Sequence, residues 1–89
     1  MFVFRSNAWN VDHLAPHGVA PDDAEFLVEH ARKPYPADVG DERYRVRGKS
    51  LAGRYLQVVF IFSPDDVVYV IHARPLTDRE IRQFRRIQR

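Results

Sequence analysis

The sequence predicts a small α+β domain, an antiparallel sheet of three or four strands packed with two N-terminal helices and one C-terminal helix. Three observations carry it. Residues 55–62 form a nearly continuous apolar run, with the length and β-rich composition of a central strand buried on both faces. A second such run, Val67 to Arg74, follows the turn sequence Ser63-Pro64-Asp65-Asp66, which is short enough for a hairpin. Ala24, Leu27, Val28 and Ala31 recur at i, i+3, i+4 and i+7, the apolar stripe of a helix that must pack on something.

In chain order, a short extended start precedes a brief helix from Trp9 to Ala15, bounded by Pro16, which biases Ala15 away from helical backbone. Gly18 permits a sharp reversal. Pro21 suits the first turn of the second helix, with Asp22 and Asp23 where the helix dipole favours carboxylates. That helix is expected to end near Arg32-Lys33-Pro34, with cations at its negative end. Residues 34–41, with two prolines and a glycine, read as a loop, and Tyr44 to Lys49 as the first strand. After the strands, Thr77-Asp78-Arg79-Glu80 is a capping box, in which the threonine hydroxyl and the glutamate carboxylate satisfy amides at the start of the last helix. Ile81, Phe84 and Ile87 form its expected buried stripe, leaving Arg79, Arg82, Arg85, Arg86 and Arg89 outside.

With 89 residues and no cysteine, the chain is one domain over residues 1–89, without a disulfide framework or a thiolate metal site. Its apolar start is interrupted at Arg5, and no run approaches the roughly 18 apolar residues of a membrane span. A soluble, cytoplasmic protein is the expectation. The net charge of +2 conceals an asymmetry. Residues 1–42 hold three Arg/Lys and eight Asp/Glu, whereas residues 43–89 hold eleven and four, so the second half is the expected face for a polyanion.

Period-2 geometry sorts the strand residues onto faces. Arg43, Arg45, Arg47 and Lys49 share one face, at a spacing of about 7 Å that suits the phosphates of extended single-stranded nucleic acid. The same row also suits an edge strand protected from aggregation by charge. On the last strand, Val68, Val70, His72 and Arg74 are expected on one face, so that His72 and Arg74 project together. Arginine holds phosphate oxygens with a planar fork, and histidine titrates near neutrality. Cleavage of RNA without metal needs a base for the 2′-OH, an acid for the leaving 5′ oxygen and fixed cations for the phosphorane. His72 fits base or acid, and Arg74 the stabiliser. A histidine at a strand end is also simply a satisfied polar residue. Glu42 beside Arg43 reads as an acid/base or a surface ion pair, and Trp9 and Tyr55 as base-stacking or core aromatics. His13 and His17 are four apart, but Pro16 interrupts any helix between them and no third ligand stands near, so no metal and no cofactor are expected.

Taken in order, His17-Gly18-Val19, Glu42-Arg43-Tyr44 leading to Gly48, Gly53-Arg54-Tyr55-Leu56-Gln57-Val58-Val59 and Ala73-Arg74-Pro75-Leu76-Thr77-Asp78-Arg79-Glu80 resemble the BrnT family of type II toxins over about residues 9–86. His72 stands where that family commonly has a small hydroxyl residue, and Pro16 where it has a cation. The resemblance implies a RelE-like fold and a metal-independent ribonuclease that halts translation. It also implies a cognate DNA-binding antitoxin, with operator DNA reached only through the complex. Carried over residue by residue, it marks Glu42, Arg43, Arg54 and Arg74. The residues themselves add His72 as acid/base, with Glu42 and His17 behind it, and Arg45, Arg47, Lys49 and His17 as RNA contacts. A non-catalytic nucleic-acid-binding or protein-interaction module is the alternative.

Overall fold

In the computed structural model, which describes residues 3–4 and 18–88, the elements run β1 (Val3–Phe4), α1 (Pro21–Glu29), β2 (Ala37–Asp38), β3 (Arg43–Lys49), β4 (Tyr55–Phe62), β5 (Val67–Pro75) and α2 (Asp78–Ile87). The expected helix from Trp9 to Ala15, and His17 with it, lie outside the described residues. The sheet order is β1-β5-β4-β3-β2. Strands β2 to β5 form the expected antiparallel meander, and β1 adds to β5 in parallel through Val3 and Phe4. The loop expected over residues 34–41 therefore contains a two-residue strand, Ala37 opposite Arg45 and Asp38 opposite Tyr44. So short a pairing leaves no period-2 signal to read.

One face of the sheet is the core. Ala24, Leu27 and Val28 of α1 pack on Val46 of β3, Leu56, Val58 and Phe60 of β4, and Val68, Val70 and Ala73 of β5. Gly48 belongs to the same face, and a Cβ there would stand 3.5 Å from Leu27. The helix begins as expected, on Pro21 with Asp22 and Asp23 in its first turn, but it stops at Glu29 and carries no cation in its last turn. At this end the His30 ring folds back on the helix: its Nδ1 lies 3.0 Å from the Phe26 carbonyl, which also accepts the His30 amide at 3.0 Å, and the two rings stack at 4.2 Å.

A β-bulge corrects the expected faces of β5. Val59 pairs with His72 but Phe60 pairs with Val70, so Ile71 is an extra residue and the alternation changes phase there. Val68, Val70 and Ala73 point into the core. His72 and Arg74 do share a face, as expected, but it is the opposite one.

Helix α2 opens on the expected capping box: the Thr77 hydroxyl accepts from the Glu80 amide at 3.2 Å, and the Glu80 carboxylate accepts from the Thr77 amide at 2.9 Å. Its expected buried stripe is not realised. No residue of α2 is buried, Phe84 is partly so, and Ile87 is 50% exposed. Aromatic contacts of Phe84 with Tyr35 and Tyr55, a hydrogen bond from the Gln88 side chain to the Lys33 carbonyl, and the Glu80 carboxylate hold the helix instead.

Candidate nucleic-acid interface

The face turned away from α1 collects the cations of β3 and the end of β5 in successive rungs. Arg43 lies opposite Ile61, which faces Tyr69. Next comes Arg45–Val59–His72, then Arg47–Gln57–Arg74, then Lys49 opposite Tyr55. Residues separated by about 30 positions thus converge through strand register, with rungs on one face about 7 Å apart. Arg43 and His72 line one shallow depression together with Asp41, Val59, Ile61 and Ile71.

The row is not an open ladder of four equal cations. Arg43 and Lys49 are exposed, whereas Arg45 and Arg47 are partly buried. The Arg45 Nε is buried with no hydrogen-bond partner. Arg47 donates from Nε to Gln57 Oε1 and from Nη2 to Glu80 Oε2, both at 3.0 Å. Arg74 meets the same carboxylate end-on, Nη1 to Oε1 at 2.7 Å and Nη2 to Oε2 at 2.8 Å, and also donates from Nη1 to the Pro75 carbonyl at 3.1 Å. Glu80 is therefore the hub of the face as well as the cap of α2. Hydrogen bonding from Arg74, then the Thr77 amide, holds its carboxyl far below the ordinary glutamate range.

These bonds leave Arg74 with a second fork. A guanidinium carries five N–H groups in a plane, and three are used. The Nε–H and one Nη2 hydrogen remain on the side edge, a geometry that takes two phosphate oxygens while the Glu80 pair stays intact. Tyr55, one rung further along, places its hydroxyl 3.2 Å from the Arg85 Nε, with Lys49 and Arg85 over its ring at 5.6 and 5.3 Å. The hydrogen bond from Arg85 lowers the phenol below its ordinary pKa. Arg74 thus stands between an imidazole and an activated phenol on one surface.

Two of the residues marked by resemblance are elsewhere. Arg54, in the turn before β4, donates from Nη1 to the Gly18 carbonyl at 2.7 Å, on the side of the sheet where α1 begins. Glu42 lines a shallow depression with Tyr44, Phe62, Ser63 and Pro64, so it lies with the other face. It serves a tight turn: Arg43 donates its amide to the Gly40 carbonyl at 3.0 Å, and Asp41 and Glu42 both take left-handed backbone, with φ of 54° and 61°. That is the pattern of a type I′ hairpin turn, where glycine is unstrained and glutamate is not. Replacing Glu42 with glycine is expected to raise the unfolding free energy by about 0.5–1 kcal/mol in a denaturant titration.

Sequence reading missed Glu80 and Tyr55 as parts of this face. The capping box gave Glu80 one job, and only the convergence of β3 and β5 under α2 reveals the second. Among the described residues, no group of three His, Cys, Asp or Glu side chains is placed to hold a metal ion, and no helix is long and apolar enough to cross a membrane. Comparison with known proteins returns no match to a family model, a curated protein or a solved structure.

Proposed function

We propose that this chain is a metal-independent endoribonuclease acting on single-stranded RNA in the cytoplasm, a BrnT-like toxin of RelE-like fold whose activity is held in check by a cognate DNA-binding antitoxin. One observation supports this above the others: His72 and Arg74 share an open sheet face with Arg43, Arg45, Arg47 and Lys49. In the proposed reaction, His72 takes the proton from a 2′-OH, the 2′ oxygen attacks phosphorus, and the 5′ oxygen leaves with a proton from Tyr55. The products are a 2′,3′-cyclic phosphate and a 5′-OH, so no water, metal or oxidant is consumed. Arg74 takes the phosphorane oxygens on its remaining fork, and Arg43, Arg45 and Lys49 hold the flanking backbone. Operator DNA is bound only through the antitoxin complex.

Incubation of purified protein with labelled single-stranded RNA in EDTA is expected to yield fragments with cyclic phosphate ends. Arg82 and Arg86, exposed on α2, lie outside this chemistry. Their replacement by alanine is expected to weaken RNA binding by about threefold each at low salt, with turnover of bound RNA unchanged.

A specific observation also favours a second reading, a catalytically degenerate relative that binds nucleic acid without cutting it. Glu42 and Arg54 do not join the face, and Arg47 is committed to Gln57 and Glu80. Steeply salt-dependent RNA binding with no fragments in the same incubation would select that reading.

A further inference from the structure

Around the edge of β3 from the arginine face lies a cleft of about 280 Å³ between α1 and α2. Phe26 and Leu27 line it from one helix and Phe84 from the other, with Gly48 of β3 at its base. Its rim carries Arg32 and Lys49, both exposed, and neither makes an ion pair with any described residue. His30 and Gln88 add polar edges.

The two halves of this lining select a ligand class. A bare phosphate would leave the phenylalanine and leucine surface uncovered, and a neutral aromatic would leave two cations without a counterion. A planar ring bearing a phosphate satisfies both: the ring lies against Phe26 and Phe84, and the phosphate meets Arg32 and Lys49. The volume is at the small end of ligand pockets, which run from roughly 300 to 1,000 Å³. It suits one nucleotide and excludes a folded oligonucleotide. Arg47 lines the cleft and also belongs to the Arg47–Gln57–Arg74 rung, so the two sites adjoin.

We propose that the cleft between α1 and α2 binds one nucleotide of a single-stranded RNA, base between the phenylalanines and phosphate on Arg32 and Lys49, beside the arginine face. The claim that this nucleotide belongs to an RNA strand rests on the ribonuclease reading; the claim that the cleft takes a nucleotide does not.

Amide chemical shifts of the whole chain, followed during titration, test both parts. With 5′-AMP, shifts are expected at Ala31, Gly48, Lys49 and Phe84, saturating at a concentration about tenfold lower than for adenosine or for inorganic phosphate, because stacking and ion pairing add. The variant Arg32→Ala/Lys49→Ala alters only exposed side chains that form no ion pair with any described residue, Lys49 giving up its contact with the Tyr55 ring, so it keeps the fold, and it is expected to weaken 5′-AMP by about tenfold. A 2′-O-methyl oligoadenylate, which lacks the nucleophile and stays intact, should shift the same four residues. Absence of shifts in the cleft with 5′-AMP, or an unaltered affinity in the double variant, would overturn the site. Shifts with 5′-AMP but none with the oligomer would overturn its assignment to a strand and point to a free nucleotide. If wild-type protein binds both ligands yet never cuts RNA, the ribonuclease reading fails and the cleft stands.

Discussion

Replacing Glu80 with alanine is expected to lower the unfolding free energy by about 3–4 kcal/mol. The side chain does three things at once. It caps α2 through the Thr77 amide, it takes Arg74 bidentately at 2.7 and 2.8 Å, and it takes Arg47 at 3.0 Å. Its side chain is 16% exposed and that of Arg47 12%, so removal leaves two partly desolvated guanidinium groups without their counterion. Helix α2 buries no residue of its own and is then held by the Phe84 aromatic contacts and the Gln88 hydrogen bond. Glu80→Gln keeps an acceptor for the capping box while deleting the charge, and should recover about 1 kcal/mol of the loss. Equal stability of the wild type and Glu80→Ala in urea would remove the hub from the account.

The same carboxylate gives the domain an acid dependence of definite sign. Its folded pKa lies below the unfolded value of about 4.3, so its contribution is fully present above that value. It is lost as pH falls from about 4.5 toward the folded pKa. Stability of the wild type should therefore drop on acidification below about pH 4.5, and Glu80→Gln should show a shallower drop over the same window. On the proposed RNA substrate, Glu80→Gln is expected to tighten binding through the loss of one negative charge and to slow turnover because Arg74 is no longer anchored. An unchanged ratio of turnover to affinity would mean that Glu80 has no positioning role.

The second large effect is expected at Arg74. Its alanine variant should cut RNA about 10²–10³ times more slowly than wild type, the usual cost of removing a donor aimed at developing oxyanion charge. His72→Ala should cost about 10²–10⁴-fold. Arg74→Ala also orphans Glu80, so a slow variant is informative only if it is folded. The pair Arg74→Ala/Glu80→Gln removes both charges together and avoids the orphan. It is the proper comparison with Glu80→Gln alone.

Much of this molecule was legible in its residues because its signals are local. The apolar run of β4 and the Ser63 turn are read directly; the Ser63 hydroxyl accepts from the amides of Asp65 and Val67. Thr77 with Glu80 fixed the start of α2, and period-2 alternation put the β3 cations on one face. What escaped depends on partners distant in sequence. The Ile71 bulge is set by how β4 and β5 pair, not by composition, and it alone moves His72 and Arg74 off the core face. The apolar pattern ran on to Ala31, but α1 stops at Glu29, where the His30 imidazole folds back onto Phe26. The pairing of β1 with β5 joins the first and last strands. Helix α2 has the right periodicity for burial, yet none of its residues is buried and Ile87 is 50% exposed. For the site, grouping by strand face put Arg43, Arg45 and Arg47 on one face of β3 and paired His72 with Arg74 on β5, but only the bulge brings the two groups onto the same face, and order along the chain gave no indication that Arg54 turns to Gly18 or that Glu42 sits in a left-handed turn.

The central claim is that Arg74, held by Glu80 between His72 and Tyr55, stabilises the phosphorane in RNA cleavage. Its most direct test is the single-turnover rate of cleavage of a labelled single-stranded RNA in EDTA, comparing Glu80→Gln with Arg74→Ala/Glu80→Gln, both verified as folded. The account predicts cyclic phosphate products in both and a rate about 10²-fold lower in the double variant. Equal rates, or the absence of cleavage by wild-type protein under the same conditions, would contradict it.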